Sequence, residues 1–158
     1  FYSHAEQLYR VRGEVAGDPT EPPHSAPYPF PPVPDEPDIA VLRRSGGWPG
    51  LFWLGGFRSA MTGEKANAID RLGASRRLAV TRFDYSGHGQ SGGDFLEGTI
   101  SRWLEEALAV FATTEGPQIV IGSSMGGWLA LLLNRALRVA GSERVAGLVL
   151  VAPWPLSS

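Results

Sequence analysis

The stretch Gln118-Ile119-Val120-Ile121-Gly122-Ser123-Ser124-Met125-Gly126-Gly127-Trp128-Leu129 carries the fold of this chain. Its β-branched start predicts a strand over Gln118–Ile121. Met125–Arg138 then predicts a helix, apolar nearly all round through Trp128, Leu129, Leu131, Leu132, Leu133 and Leu137, as expected of a helix pressed against a sheet. Between the two lies Gly122-x-Ser124-x-Gly126. A hydroxyl at the tip of so tight a strand-to-helix turn stands clear of its own backbone and open to a substrate. Such a turn strains the serine backbone, and side chains two positions away would collide, which Gly122 and Gly126 avoid. Gly127 lets the helix pack closely. A lone Ser in a Gly-rich loop is ordinarily just a turn residue. Here the strand before and the helix after make Ser124 the candidate nucleophile, with a helix N-terminus aimed at the developing oxyanion. Ser123 fills the turn.

The alternation of strand and helix extends outward from this corner. Upstream, Ile39–Arg43 predicts a short strand suited to a sheet edge, Gly46-Gly47 a turn, and Leu51–Leu54 a buried strand bounded by glycines. A short helix over Lys65–Leu72 is marked by Ala66, Ile69 and Leu72, with Gly73 available as its stop. Leu78–Phe83 is the next strand, followed by a Gly/Ser loop from Asp84 to Gly98. Thr99 can cap a helix whose stripe is Ile100, Trp103, Leu104, Ala107, Leu108 and Phe111. Downstream of the quoted stretch, Val145–Ala152 is a last strand, continuously apolar. Strands and helices at this spacing predict an α/β fold, a mainly parallel sheet with right-handed crossovers and helices on both faces.

Two further segments bear on chemistry. Acyl transfer needs two backbone N–H groups converging on the tetrahedral oxygen, one from the residue after the nucleophile and one from a loop after an upstream strand. Met125 supplies the first. Leu54-Gly55-Gly56-Phe57-Arg58-Ser59 follows a predicted strand, its glycines let the loop approach, and Phe57 is the candidate for the second. In Asp84-Tyr85-Ser86-Gly87-His88-Gly89-Gln90-Ser91-Gly92-Gly93, residues Gly87, Gly89 and Gly92 formally match a dinucleotide fingerprint. The third glycine opens no helix, so that reading is weak. A histidine in such a loop more often satisfies backbone groups than acts as a base, and His88 is read that way.

Composition narrows the classes. The 158 residues are 43% hydrophobic and 19% charged with a formal charge of −2, as in a globular protein. There is no basic excess for phosphate contacts, so no nucleic-acid partner is expected. With no Cys, disulfide frameworks, thiolate-zinc sites and a Cys nucleophile are excluded, and the compartment stays open. The longest charge-free apolar stretch, Val145–Ser158, is too short and too proline-broken to span ~30 Å of bilayer. Nine of the 13 prolines fall between Asp18 and Asp38, so residues 1–38 are read as a proline-rich leader of low order, partly polyproline II, ahead of a domain over 39–158. An SH3-type partner for that leader is the functional alternative. The start at Phe1, without Met, suggests a processed or cropped chain.

From about Gly50 to Ala152 the chain resembles an α/β-hydrolase, and within that superfamily the acyl-protein (palmitoyl) thioesterase and acyl-glucuronide esterase branch with its bacterial relatives. The resemblance rests on Gly56-Phe57-Arg58-Ser59, Met61 with Gly63 and Lys65-Ala66, Arg82 to Gly87, Thr99-Ile100 with Trp103, and Pro117 to Leu129. Ala60 stands where bacterial relatives often carry an acidic residue. The resemblance implies the third to sixth strands of an eight-stranded sheet, the N-terminal portion of the fold truncated after the sixth. It also implies a triad whose acid and His follow the last strand, where no His is found. The expectation is a serine hydrolase acting on carboxylic esters or thioesters, small-molecule or acyl-protein, through an acyl-enzyme and without metal or organic cofactor. A relic hydrolase fold kept for binding is the alternative. By the bacterial resemblance the compartment would be cytoplasmic, with mitochondrial as the alternative. An uncovered Val145–Ala152 edge would make the 158-residue chain alone poorly soluble or inactive.

Overall fold

The computed structural model describes residues 6–11, by their backbone, and 38–152. Six strands form one sheet: β1 (Glu6–Val11), β2 (Ile39–Arg44), β3 (Gly47–Leu54), β4 (Leu78–Phe83), β5 (Gln118–Ser123) and β6 (Val145–Val151). Their spatial order is β1-β2-β4-β3-β5-β6. β4, β3, β5 and β6 run parallel, while β2 is antiparallel to both β4 and β1. The α/β class and the mainly parallel sheet are as expected. Two details differ. Residues 6–11 of the proline-rich leader form a strand, because its backbone completes the free side of β2. In consequence β2 is no edge: it lies between β1 and β4. The proline cluster itself lies outside the described residues.

Three helices make the crossovers: α1 (Glu64–Arg76), α2 (Ile100–Ala112) and α3 (Met125–Val139). Strand alternation separates two cores. Phe52, Leu54, Phe83 and Val120 point to the face covered by α2 and α3, where Trp103, Ala107, Leu108, Phe111, Leu129 and Leu133 meet them. Leu51, Trp53, Val80 and Ile121 point the other way, onto Ala66 and Ile69 of α1. Helices therefore cover both faces. The chain passes from β3 through α1 to β4, then back through α2 over β3 to β5, so the winding reverses beside β3.

The helix α1 corrects the sequence reading. Gly73 does not stop it; the helix continues to Arg76 and ends on Arg77 in the left-handed region, φ 57°. Gly73 is a buried contact, since a Cβ there would overlap the Val80 methyl. The buried residues are Ala66, Asp70 and Gly73, with Ile69 half-buried beside them, and Leu72 is 45% exposed. Asp70 tolerates burial because Arg44 Nε and Nη2 donate to its two oxygens, each at 2.8 Å. On the opposite face, α2 follows expectation: Thr99 Oγ1 accepts from Arg102 N–H at 3.1 Å, and the buried stripe additionally takes in Glu106 and Val110. No helix among the described residues is long and apolar enough to cross a membrane.

Candidate active site

Parallel register brings the loops that matter to one rim of the sheet. Leu54 pairs with Gly122, Gly122 with Leu150, and Ser123 with Val151, so the segments leaving β3 and β5 start side by side. β4 ends on the same rim, one strand further along. This is the end of an open α/β sheet at which ligands bind, at the point where winding reverses.

At the end of β5 the chain turns within one residue into α3. Ser124 has φ 56° and ψ −119°, a conformation that costs a non-glycine residue about 1–3 kcal/mol and that its surroundings must enforce. They do so from both sides. Ser124 N–H donates to Val151 O at 3.0 Å, and Gly127 N–H donates to Ser124 O at 3.0 Å. The flanking glycines are sterically required. A Cβ on Gly122 would overlap the Gly126 carbonyl, and one on Gly126 would overlap Leu54 O and lie 2.6 Å from Gly55 O. Met125, the first residue of α3, is buried and carries its N–H at the helix N-terminus beside the serine.

Gly56 meets this corner from the β3 side. A Cβ on it would stand 3.5 Å from both Ser124 Cβ and Ser123 O. Phe57 and Arg58 then occupy a turn closed by Ser59 N–H donating to Gly56 O at 3.1 Å, with Arg58 left-handed at φ 59°. Both segments therefore flank Ser124, which is half-buried. Ser124, Gly56, Phe57 and Lys65 line a cavity of about 280 Å³ together with Trp53 and Ser123. Lys65 Nζ donates to Ser123 Oγ at 3.2 Å, so one wall carries a cation.

The loop after β4 supports this arrangement from below. Asp84 Oδ1 accepts from Met61 N–H at 2.7 Å, and its Oδ2 accepts from Gln90 N–H at 2.9 Å. Tyr85 Oη donates to Gly55 O at 2.9 Å, and burial pushes the phenol far above its ordinary range, with the negative charge of Glu106 adding to the effect. His88 is buried, its Nδ1 3.0 Å from Ser86 O and its Nε2 accepting from Arg58 N–H at 3.1 Å. It satisfies backbone groups, as expected. Two glycines of this loop have packing roles: a Cβ on Gly89 would overlap Asp84 Oδ2, and one on Gly87, φ 72°, would overlap Phe95. Only a three-residue 3₁₀ turn, Phe95–Glu97, follows before α2.

Sequence reasoning missed Tyr85, Glu106 and Lys65 as parts of this rim. Glu106 Oε1 accepts from Ser86 N–H at 2.7 Å. The available signal was that, of the adjacent Glu105 and Glu106, Glu106 falls at helical spacing three residues after Trp103 and four before Val110, on the apolar side of the helix.

Residues 45–158 match the alpha/beta hydrolase family. The human mitochondrial palmitoyl-protein thioesterase ABHD10 is 41% identical over 120 residues, 75% of this chain and 38% of that protein, and the Bos taurus protein of the same name is 42% identical over the same length. Among solved structures, a putative hydrolase from Agrobacterium vitis S4 superposes with a TM-score of 0.73 at 49% identity, covering 78% of this chain and 49% of that one. The mouse alpha/beta hydrolase domain-containing protein 10 gives 0.70 at 38% identity, covering 75% and 46%. The chain thus spans well under two thirds of these relatives.

Proposed function

Because this chain belongs to the α/β-hydrolase family, we propose that it contributes the nucleophile and oxyanion site of a serine hydrolase acting on esters or thioesters. The observation that carries this reading is the backbone of Ser124, held at φ 56° between two glycines that admit no side chain. A strain of that kind is maintained where a hydroxyl has to be presented. Ser124 Oγ attacks the carbonyl carbon, and the N–H groups of Phe57 and Met125 stabilise the tetrahedral oxygen. The alcohol or thiol leaves, and water then releases the acyl group from the serine. A thiolate departs more readily than an amine, which favours thioesters and esters over amides. Nothing in this sequence of steps calls on a metal or an organic cofactor. The serine also needs a proton acceptor. His88 is not that group, since both of its ring nitrogens are engaged by backbone groups. The acid and base belong, by the family pattern, after the sixth strand.

The palmitoyl-protein thioesterases among the relatives favour a fatty-acyl thioester as the substrate class, and their mitochondrial names favour that compartment over the cytoplasm. The decisive experiment is labelling of the full-length protein with a fluorophosphonate, paired with hydrolysis of an acyl thioester. Ser124→Ala should abolish the label and lower turnover by about 10⁴–10⁶-fold. Label retained by the alanine variant would discredit the assignment.

A further inference from the structure

We infer that His88 is a positioning residue for the oxyanion loop, and that it works through the single hydrogen bond from Arg58 N–H to its Nε2. This rests on the assignment of Ser124 as nucleophile. The loop between β3 and α1 is held at two points that bracket Phe57, and both holds come from the loop after β4. Tyr85 Oη donates to Gly55 O at 2.9 Å on one side, and Arg58 N–H donates to His88 Nε2 at 3.1 Å on the other. The first hold is on the Gly55–Gly56 peptide and the second on the Phe57–Arg58 peptide, and the Gly56–Phe57 peptide between them carries the Phe57 N–H. Fixing both ends of so short a segment fixes the direction of that N–H, which has to meet an oxygen that exists only in the transition state.

The chemistry of the two partners dictates the form of the imidazole. Ser86 O can only accept, so Nδ1, 3.0 Å away, carries the hydrogen. Arg58 N–H can only donate, so Nε2 presents its lone pair. The ring has no freedom to exchange these roles. It is 5% exposed and enclosed by aromatic rings: Phe95 at 5.2 Å, Trp103 at 5.3 Å, Tyr85 at 5.6 Å and Phe57 at 6.5 Å between centroids. Arg58 itself stays left-handed, φ 59°, a conformation uncommon for a non-glycine residue. Its guanidinium lies over Phe57 and Phe95, which tethers the turn to the same aromatic cluster. His88 thus reads out, at one nitrogen, where the oxyanion loop sits.

Three substitutions separate positioning from mere packing. His88→Phe keeps the ring within the aromatic enclosure and offers Arg58 N–H no acceptor. His88→Asn retains a donor for Ser86 O but is too short to reach Arg58. His88→Gln can place a carbonyl oxygen where Nε2 stood. In the full-length protein, active sites are counted by saturating fluorophosphonate label, and turnover of an activated aryl ester is expressed per labelled site. Unfolded molecules then lower the count and leave the rate per site unaffected. The expectation is a kcat per site about ten- to hundredfold lower for His88→Phe and His88→Asn, with KM little changed, and recovery of most of that loss in His88→Gln. A wild-type rate per site in the Phe or Asn variant would overturn the inference, and so would a Gln variant as impaired as the Phe variant. If His88→Phe yields no labelled sites, the Asn and Gln pair decides. Failure of the nucleophile assignment is distinguishable, because the wild-type protein would then take no label at Ser124.

Discussion

Tyr85 shows how much a single buried group does at this rim. It is 1% exposed, and its hydroxyl supplies Gly55 O with a donor in a place water does not reach. Replacing it with Phe leaves that carbonyl buried and without this donor, at a cost of about 1–3 kcal/mol. Tyr85→Phe should therefore lower the urea midpoint at neutral pH. The pH dependence has a definite sign. Burial raises the phenol above its unfolded value, so the neutral form is the one the fold favours. The stability this contributes is complete below the ordinary tyrosine pKa of about 10 and drains away as pH climbs beyond it. The gap in stability between wild type and Tyr85→Phe should accordingly narrow under alkaline conditions, and an undiminished gap would contradict the account. At this scale the legible residues are those whose requirement is local. Gly122 and Gly126 are needed by a turn five residues long, and their spacing announces it. Tyr85 and His88 act on partners 30 residues away in the chain, and no periodicity records such a pairing.

Among the elements, α1 is where local propensity and tertiary packing disagree. A glycine inside a helix costs about 1 kcal/mol relative to alanine, so a helix reading by propensity stops at Gly73. Packing reverses that preference because the helix crosses β4 at this residue, with Val80 filling the space a Cβ would need. Gly73→Ala should thus destabilise the protein by about 1–3 kcal/mol despite its better helix propensity. Pairing it with Val80→Ala should return part of the loss, a coupling measurable by denaturant unfolding of the two single variants and the double variant. Additive losses would mean that the overlap with Val80 is relieved some other way. The amphipathic α2, by contrast, was legible almost to the residue: its offsets of 3 and 4 are set by burial on one face, and its start by the Thr99 cap. β1 escaped notice for the opposite reason, since Glu6–Val11 has neither an apolar run nor a period-two pattern and is a strand by virtue of its neighbour.

For the molecule as a whole, the reach of sequence reasoning follows the sheet. Parallel strands buried on both faces are continuous apolar runs and declare themselves, as β3 and β5 do. Strand order does not, because the return of the chain across β3 depends on which face each helix covers. β6 ends the sheet on one side, with Val149 47% exposed and Leu150 and Val151 more than a third exposed. An exposed apolar edge of this kind recruits further strands. The 158-residue chain in isolation should self-associate, and Val149→Lys should raise its monomer fraction in sedimentation velocity. An unchanged distribution would point to association elsewhere.

On the opposite side of the sheet, Val11 and Ile39 face each other across the first rung between β1 and β2. The chain departs from the sheet at one of these residues and comes back at the other, so the two sheet positions that the connection joins are neighbours. A protease cutting between them would not shed an N-terminal tail. It would leave both sides of the cut on the sheet, the N-terminal side held as a strand by six backbone-paired residues, and capable in principle of being exchanged for a synthetic peptide of the same register.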